Sequence, residues 1–141
     1  YFRPQSTETY FYNGEAVLEG ELAPAGWKIP DSDDWQALKE YTKDSASILK
    51  AGEWEVLKEG DTIDSGSNLT GFSAYPVGIW GAGKNISQKQ LVCYWTLNET
   101  ENSIPEQSIS FTGSSTKFSV AATHVKNETY YKAFSIRCIK E

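Results

Sequence analysis

Several residue types are scarce in this chain of 141 residues, and each scarcity excludes a class of protein. The chain has no methionine, one histidine and two cysteines, Cys93 and Cys138. A single histidine excludes a metal site built on paired histidines, and two cysteines are too few for a disulfide scaffold or a zinc site of the usual spacing. No apolar run approaches the ~20 residues of a membrane-spanning helix. We therefore expect neither a direct membrane span nor a zinc site.

Positively charged residues are also fewer than negatively charged ones. The net charge is −6 at neutral pH, and the 13 lysines and arginines are scattered along the chain. Because nucleic-acid binding needs a concentrated positive surface, we do not expect a nucleic-acid partner. The chain begins at Tyr1 without methionine, so we expect a processed product or an excised fragment that has lost any signal peptide or lipid anchor.

The length predicts a single domain over residues 1–141. Gly, Ser, Thr and Asn occur throughout, which is typical of an extracellular β-rich domain with long loops. The oligomeric state is left open by the sequence.

One helix is clearly indicated after Pro30. The Asp31 side chain is expected to cap it by accepting from first-turn N–H groups, and Asp34 stands where the acid of a capping box would be. Trp35 and Leu38 then follow at helical spacing. A second short helix is predicted over residues 45–50, ending at Gly52.

The other apolar segments predict short strands. Residues 8–18 indicate a hairpin around Asn13-Gly14, and residues 58–71 indicate a long loop. Five strand-like runs follow, "FSAYPVGIW", "QLVCYWTL", "SISFTG", "KFSVAATHV" and "YKAFSIRCIK". In the second run, alternation places Tyr94 on the face opposite Trp95. This order predicts an α+β fold with antiparallel sheets, one or two helices and a long loop region.

The stretch "PAGWKIPDSDDWQAL" at residues 24–38 resembles a corner motif of the Fibrobacter succinogenes major paralogous domain family. Three later stretches match in the same order, "GFSAYPVG" at 71–78, "YWT" at 94–96 and "FSIRCIK" at 134–140. The resemblance extends from about residue 10 to the C-terminus. It implies a C-type-lectin-like fold with twisted antiparallel sheets, found in secreted and surface proteins of Bacteroidetes and related bacteria. It implies no defined activity.

The chain departs from the family pattern at two positions. Ala23 stands where the family usually has a cysteine, which we would expect to pair with the cysteine corresponding to Cys138. Cys93 is present instead, so two alternatives are open: a Cys93–Cys138 disulfide, or two buried thiols. Asp31 replaces a favoured threonine, but both residues cap helices.

Aromatic residues carry both the predicted core and the predicted function. The core is expected to contain Trp27, Trp35, Phe72 and Trp95, because large rings dominate the packing of a small domain. Rings in turn-rich segments are suited instead to stacking on sugars or to protein contacts. The candidate ligand-binding residues are Trp80, Tyr94, Asn98, Tyr130 and Tyr131.

These residues predict a non-catalytic recognition module that binds a glycan or protein ligand and takes part in adhesion, secreted or on a bacterial cell surface, possibly within a lipoprotein. One alternative is a structural module of a bacterial surface lipoprotein or adhesin assembly with no small ligand. Another is an enzyme related to formylglycine-generating proteins, which would need an exposed thiol of low pKa. His124 lacks the context of a catalytic triad.

No cofactor is predicted, although calcium is an alternative because Glu59, Asp61 and Asp64 lie in the long loop. The triplets "DSA" and "DTI" resemble an O-glycosylation motif of Bacteroidetes, with Ser45 and Thr62 as the acceptors.

Overall fold

The structure is a computed structural model that describes residues 10–19, 21–97, 107–122 and 132–141. Its elements in chain order are β1 (Tyr12–Asn13), α1 (Gly14–Glu19), β2 (Trp27–Lys28), α2 (Ser32–Tyr41), β3 (Ile79–Gly81), β4 (Lys84–Ile86), β5 (Leu91–Trp95), β6 (Gln107–Thr112), β7 (Ser119–Ala122), β8 (Lys132–Phe134) and β9 (Ile139–Lys140). Neither described helix has the length and apolar character needed to span a bilayer.

The strands form three sheets with the orders β1-β8-β3-β4, β2-β9 and β5-β6-β7. Strand pairing within each sheet is antiparallel. The two helices and mostly antiparallel sheets of the described residues confirm the predicted α+β class. The C-type-lectin-like assignment is finer than this class and stays a prediction.

Helix α2 begins as its sequence predicts. The Asp31 carboxylate accepts a 2.9 Å hydrogen bond from the Asp34 N–H, and the Asp34 carboxylate accepts a 3.0 Å bond from the Asp31 N–H. This reciprocal capping box satisfies two amide groups that have no partner within the helix. Lys28 Nζ lies 2.9 Å from the Asp34 carboxylate and so ties β2 to the start of α2.

Two other local predictions are wrong. Residues 8–18 do not form a hairpin around Asn13-Gly14, because the Asn13 side chain accepts a 2.9 Å hydrogen bond from the Ala16 N–H and helix α1 follows. The predicted helix over 45–50 is a single turn, in which the Lys50 N–H donates to the Ala46 carbonyl. Its two ends are held in isolated β-bridges, Ser45 with Lys117 and Lys50 with Ala74, which prevent a helix from continuing.

The core consists of two apolar clusters on either side of β5. The helix-side cluster comprises Trp35, Ala46, Leu49, Trp54, Ala74, Val92, Tyr94, Ile109 and Phe111. The sheet-side cluster comprises Val17, Ile29, Cys93, Trp95 and Phe134. Because successive residues of a strand point to opposite faces, β5 contributes to both clusters and is buried on both sides.

Three of the four predicted core aromatics lie in or against these clusters. Trp35 and Trp95 are buried, and Phe72 packs against the helix-side cluster. Trp27 is the exception: 45% of its surface is exposed, so its prediction as a core residue is wrong. It lies in a two-stranded sheet, opposite the exposed Lys140, and its side chain therefore points outward on the same face.

The predicted loop over residues 58–71 contains no helix or strand. Backbone hydrogen bonds hold it in place, with the Asp64 N–H donating to the Gly113 carbonyl at 2.7 Å and the Ser67 N–H to the Ser47 carbonyl at 2.9 Å. The loop therefore lies along a fixed path across the domain.

Candidate recognition surface

Trp80 lies on the outer face of the four-stranded sheet. The register of the paired strands places Asn13, Ala133, Trp80 and Asn85 side by side across β1, β8, β3 and β4. Directly opposed residues of antiparallel strands point to the same face. These four residues, which we call the Trp80 row, therefore share one face of the sheet.

The opposite face of this sheet packs on the core. Tyr12, Ile79 and Phe134 alternate with the Trp80 row and belong to the sheet-side cluster or pack against it. Because this face is buried, the Trp80 row lies on the outer face, where Ala133 is itself covered and the other three residues are exposed. The Trp80 side chain is 43% exposed, and Asn13 and Asn85 at the two ends of the row are also exposed.

Both asparagines of the row are held by hydrogen bonds. Asn85 Nδ2 donates to the Val77 carbonyl at 3.1 Å, and Asn13 Oδ1 accepts from the Ala16 N–H. An asparagine amide has two donor hydrogens and one acceptor oxygen. These contacts therefore fix the orientation of each amide and leave it with hydrogen-bonding capacity toward solvent.

Tyr94 does not belong to the recognition surface, and its prediction as a ligand-binding residue is wrong. The prediction that it faces opposite to Trp95 is correct, but both faces of β5 are covered and Tyr94 is buried. Burial raises the pKa of its hydroxyl well above the usual range, and nearby Arg137 partly counteracts the effect. The ring packs 5.7 Å from Trp35 and 5.9 Å from Phe72, measured between centroids.

Three other candidate ligand residues, Asn98, Tyr130 and Tyr131, lie outside the described residues, as does His124. Their proposed roles stay predictions. Of the candidate ligand residues that the structure describes, Trp80 alone is exposed.

The sequence profile of the Fibrobacter succinogenes major domain matches residues 3–140, nearly the entire chain. The chain belongs to this family. No curated protein and no solved structure gives a significant match. Membership in the Fibrobacter succinogenes major domain family therefore assigns the domain to a family but does not assign it an activity.

The four stretches that resemble the Fibrobacter succinogenes major domain meet in space. Trp35, Phe72 and Tyr94, from the first three stretches, form mutual ring contacts with centroids 5.7–6.3 Å apart. Arg137, from the fourth, places its guanidinium carbon 4.7 Å from the centroid of the Phe72 ring. The sequence predicted a common core for Trp35 and Phe72, but it did not predict the contacts of Tyr94 and Arg137 with them. The occurrence of all four stretches in one chain was the signal in the sequence that could have indicated this convergence.

A cavity of about 220 Å³ lies beside this convergence. We call it the Arg137 cavity, and it is lined by Pro30, Asp34, Trp35, Leu38, Phe72, Arg137, Cys138 and Ile139. Trp35 also borders a second cavity of about 190 Å³, next to Thr96. The indole Nε1 of Trp35 and the hydroxyl of Thr96 are buried and have no hydrogen-bond partner among the described residues.

Both cysteines are free thiols, so the disulfide alternative is not realised in the structure. Cys93 is buried, and burial raises the pKa of its thiol to about 12, although nearby Lys132 and a hydrogen bond with Ser108 act in the opposite direction. Cys138 is half-buried at the Arg137 cavity, and burial raises the pKa of its thiol as well.

Within the described ranges, no three His, Cys, Asp or Glu side chains are grouped so that they could hold a metal ion. Of the loop acids considered for calcium, Asp64 accepts a 2.6 Å hydrogen bond from Ser47 and lies 3.5 Å from Lys50 Nζ, while Glu59 and Asp61 are exposed. Thr62 is also exposed on this loop, whereas Ser45 is half-buried in its bridge with Lys117. O-glycosylation of Ser45 and Thr62 stays a prediction.

Proposed function

We propose that this domain is a non-catalytic recognition module that binds a glycan through the Trp80 row. The observation that carries the proposal is the exposed Trp80 indole, fixed on a four-stranded sheet between two outward-facing asparagines. A protein ligand, and the absence of any small ligand in a purely structural module, are the alternatives that the experiment below separates from this proposal.

The chemistry of the row is suited to a sugar. An indole offers a flat apolar face on which the C–H face of a pyranose ring can pack, and the asparagine amides offer donors and acceptors for its hydroxyls. Ala133 separates Trp80 from Asn13, so a small side chain lies between the ring and the amide. Ala133 is itself buried, so the groups that the row offers to a saccharide are the Trp80 ring and the two exposed asparagines.

The sheet also reduces the entropic cost of binding. Trp80 has backbone partners on both sides, Ala133 of β8 and Asn85 of β4. A ring whose backbone is already fixed loses less freedom when a ligand binds than one on a flexible loop. A shallow and rigid surface of this kind supports recognition better than catalysis.

A non-catalytic role is supported by the state of the two thiols. An enzyme related to formylglycine-generating proteins needs a reactive thiolate, which forms when the thiol pKa is lowered. In this domain burial raises the pKa of both Cys93 and Cys138. Extracellular or bacterial cell-surface location, possibly within a lipoprotein, belongs to the same proposal and is supported by the resemblance to secreted and surface proteins.

The test is binding of the labelled domain to an array of bacterial and host glycans, with Trp80→Ala as the variant. Trp27→Ala is a matched control, because Trp27 is 45% exposed and Trp80 is 43% exposed, on different sheets. We expect Trp80→Ala to reduce glycan binding more than about tenfold, the scale of a binding hot spot. Trp27→Ala should retain wild-type binding.

Equal retention by both variants would place the glycan site away from the Trp80 row. Failure of the wild-type domain to bind any glycan on the array would favour the protein-ligand or structural alternatives. Thermal unfolding of both variants checks that the effect is local, since neither exposed indole belongs to the core clusters.

A further inference from the structure

We propose that the Arg137 cavity is a second binding site, which takes a small organic carboxylate with an apolar body. No residue of the Trp80 row lines it, so the proposal is independent of glycan binding. It rests on the shape and lining of the cavity and on a cation, Arg137, that has no hydrogen-bond or ion-pair partner among the described residues.

The size and lining of the cavity fit one ring with a short acidic arm. A cavity of about 150 Å³ with aliphatic and aromatic walls admits benzene, and this one measures about 220 Å³. Its apolar wall is formed by Pro30, Trp35, Leu38, Phe72 and Ile139. A pocket with apolar walls and few polar groups is typical of small-molecule sites.

Arg137 provides the charge that selects an anion. It is half-buried and stacks on Phe72, yet in the described part of the chain its guanidinium forms no hydrogen bond or ion pair. A cation that is partly removed from water favours a counter-ion at its free edge. The planar guanidinium fork matches a carboxylate in two parallel hydrogen bonds.

Trp35 contributes to the wall of this cavity and also borders the second cavity next to Thr96. Its Nε1–H is buried and has no acceptor among the described residues. Buried donors are nearly always hydrogen-bonded in proteins, and an exception needs a physical explanation. Since the Trp35 ring forms part of the wall of the Arg137 cavity, its indole N–H resonance reports on a ligand that enters.

One lining residue carries the opposite charge. The Asp34 carboxylate is compensated, because it lies 2.9 Å from Lys28 Nζ and accepts a hydrogen bond from the Asp31 N–H. Arg137 is therefore the cation at this cavity that lacks a partner among the described residues, and an incoming carboxylate would pair with it.

The experiment titrates the ¹⁵N-labelled domain with 3-phenylpropionate and, separately, with its neutral counterpart 3-phenylpropanamide. The Trp35 indole N–H resonance is the reporter and is assigned with Trp35→Phe. We expect the resonance to shift with 3-phenylpropionate and the acid to bind at least about tenfold more tightly than the amide, since a charge-assisted pair is stronger than a neutral one.

Arg137→Gln should remove this preference for the acid. Lys140→Gln is the control for loss of one positive charge, because Lys140 is exposed and does not line the cavity. Reaction of Cys138 with a maleimide should slow in the presence of 3-phenylpropionate, since this thiol borders the cavity.

Equal affinity for acid and amide, no shift of the Trp35 resonance with the acid, or an unchanged preference in Arg137→Gln would each overturn the proposal. If Arg137→Gln does not fold, the comparison of acid with amide on the wild-type domain decides alone. Trp80→Ala should bind 3-phenylpropionate like the wild type, which keeps this result separate from the glycan test.

Discussion

The ammonium group of Lys50 donates a 2.8 Å hydrogen bond to the carbonyl oxygen of Thr112, at the end of β6. It donates a second bond to the Ser115 carbonyl at 3.1 Å and lies 3.5 Å from the Asp64 carboxylate of the long loop. The Lys50 side chain is fully buried, with its Nζ 4.5 Å from the centroid of the Trp54 ring. One cation thus joins the long loop, the single turn at residues 46–50 and the central sheet.

Replacement of Lys50 by methionine is expected to destabilise the domain strongly. The substitution keeps an apolar stem of similar length but leaves the two carbonyls and the Asp64 carboxylate without their cation. Breaking a buried ion pair costs on the order of 3–5 kcal/mol. Urea unfolding would measure the loss.

The control is Lys39→Met, which removes a 3.9 Å surface pair with Asp44. Partly exposed pairs of this kind contribute about 1 kcal/mol or less. A loss at Lys50→Met no greater than that at Lys39→Met would contradict the role assigned to the buried lysine.

Removal of the helix cap should have a smaller effect. Asp31→Ala eliminates the acceptor of the Asp34 N–H and is expected to lower the free energy of unfolding by about 1 kcal/mol. Asp31→Thr should restore most of it, because threonine also caps helices. Asp33→Ala is the matched acid control in the same turn, where the side chain is exposed. The prediction fails if Asp33→Ala is as damaging as Asp31→Ala in thermal unfolding.

The sequence predicted what depends on neighbouring residues and missed what depends on distant ones. The start of α2 was predictable because Asp31 and Asp34 cap each other across three positions. Asn13 has the same capping ability, but the following glycine also suits a turn, and the sequence pattern does not distinguish the two. The single turn after Ser45 depends on bridges to Lys117 and Ala74, which no local pattern encodes.

The candidate site shows the same division. Alternation placed Tyr94 opposite Trp95, but whether a second layer covers that face depends on α2 and β6, far along the chain. Trp27 and Trp80 are both tryptophans, and each is exposed because its strand lies in a small sheet whose outer face is not covered. The sequence does not show which strands pair in these sheets. Burial of Lys50 needs three partners from other segments and cannot be inferred from a single lysine in a sequence.

A methyl group at position 113 should be poorly tolerated. A Cβ built on Gly113 would overlap the carbonyl group of Glu55, and the backbone of Gly113 is fixed by bonds with Gln90 and Asp64. Gly113→Ala is therefore expected to reduce stability by roughly 3 kcal/mol, the upper range of overpacking.

Gly60→Ala provides the comparison for this steric effect. A Cβ there would meet nothing within 4 Å, but φ is +94° and an alanine would be strained by about 1 kcal/mol. Equal unfolding midpoints in urea for Gly113→Ala and Gly60→Ala would show that the contact with Glu55 is readily relieved.

The domain should lose stability in alkali because of Cys93. The thiol pKa is about 12 in the folded state against 9.0 for an ordinary cysteine. Above pH 9 the unfolded chain releases this proton while the folded domain retains it, so the contribution of Cys93 to stability is constant below this range and falls as the pH rises toward 12. The loss reaches roughly 4 kcal/mol, at about 1.4 kcal/mol for each pKa unit.

Cys93→Ala removes this thiol and should flatten the dependence of the unfolding free energy on pH between 9 and 10, below the range in which the raised pKa of Tyr94 adds its own slope. Its absolute stability falls as well, because a buried side chain is shortened. The slope is therefore the readout. Cys138→Ala is the control, and an alkaline slope in Cys93→Ala identical to that of the wild type would refute the assignment.

The pairing of β1 with β8 and of β2 with β9 has a consequence for biosynthesis. Tyr12 is opposite Phe134 and Trp27 is opposite Lys140, so β1 and β2 remain unpaired until β8 and β9 have left the ribosome. A nascent chain arrested before Lys132 would expose unmatched strand edges, which are prone to aggregate. The domain therefore cannot close before residues 132–140 have left the ribosome, and chains stalled earlier should be good substrates for chaperones and proteases.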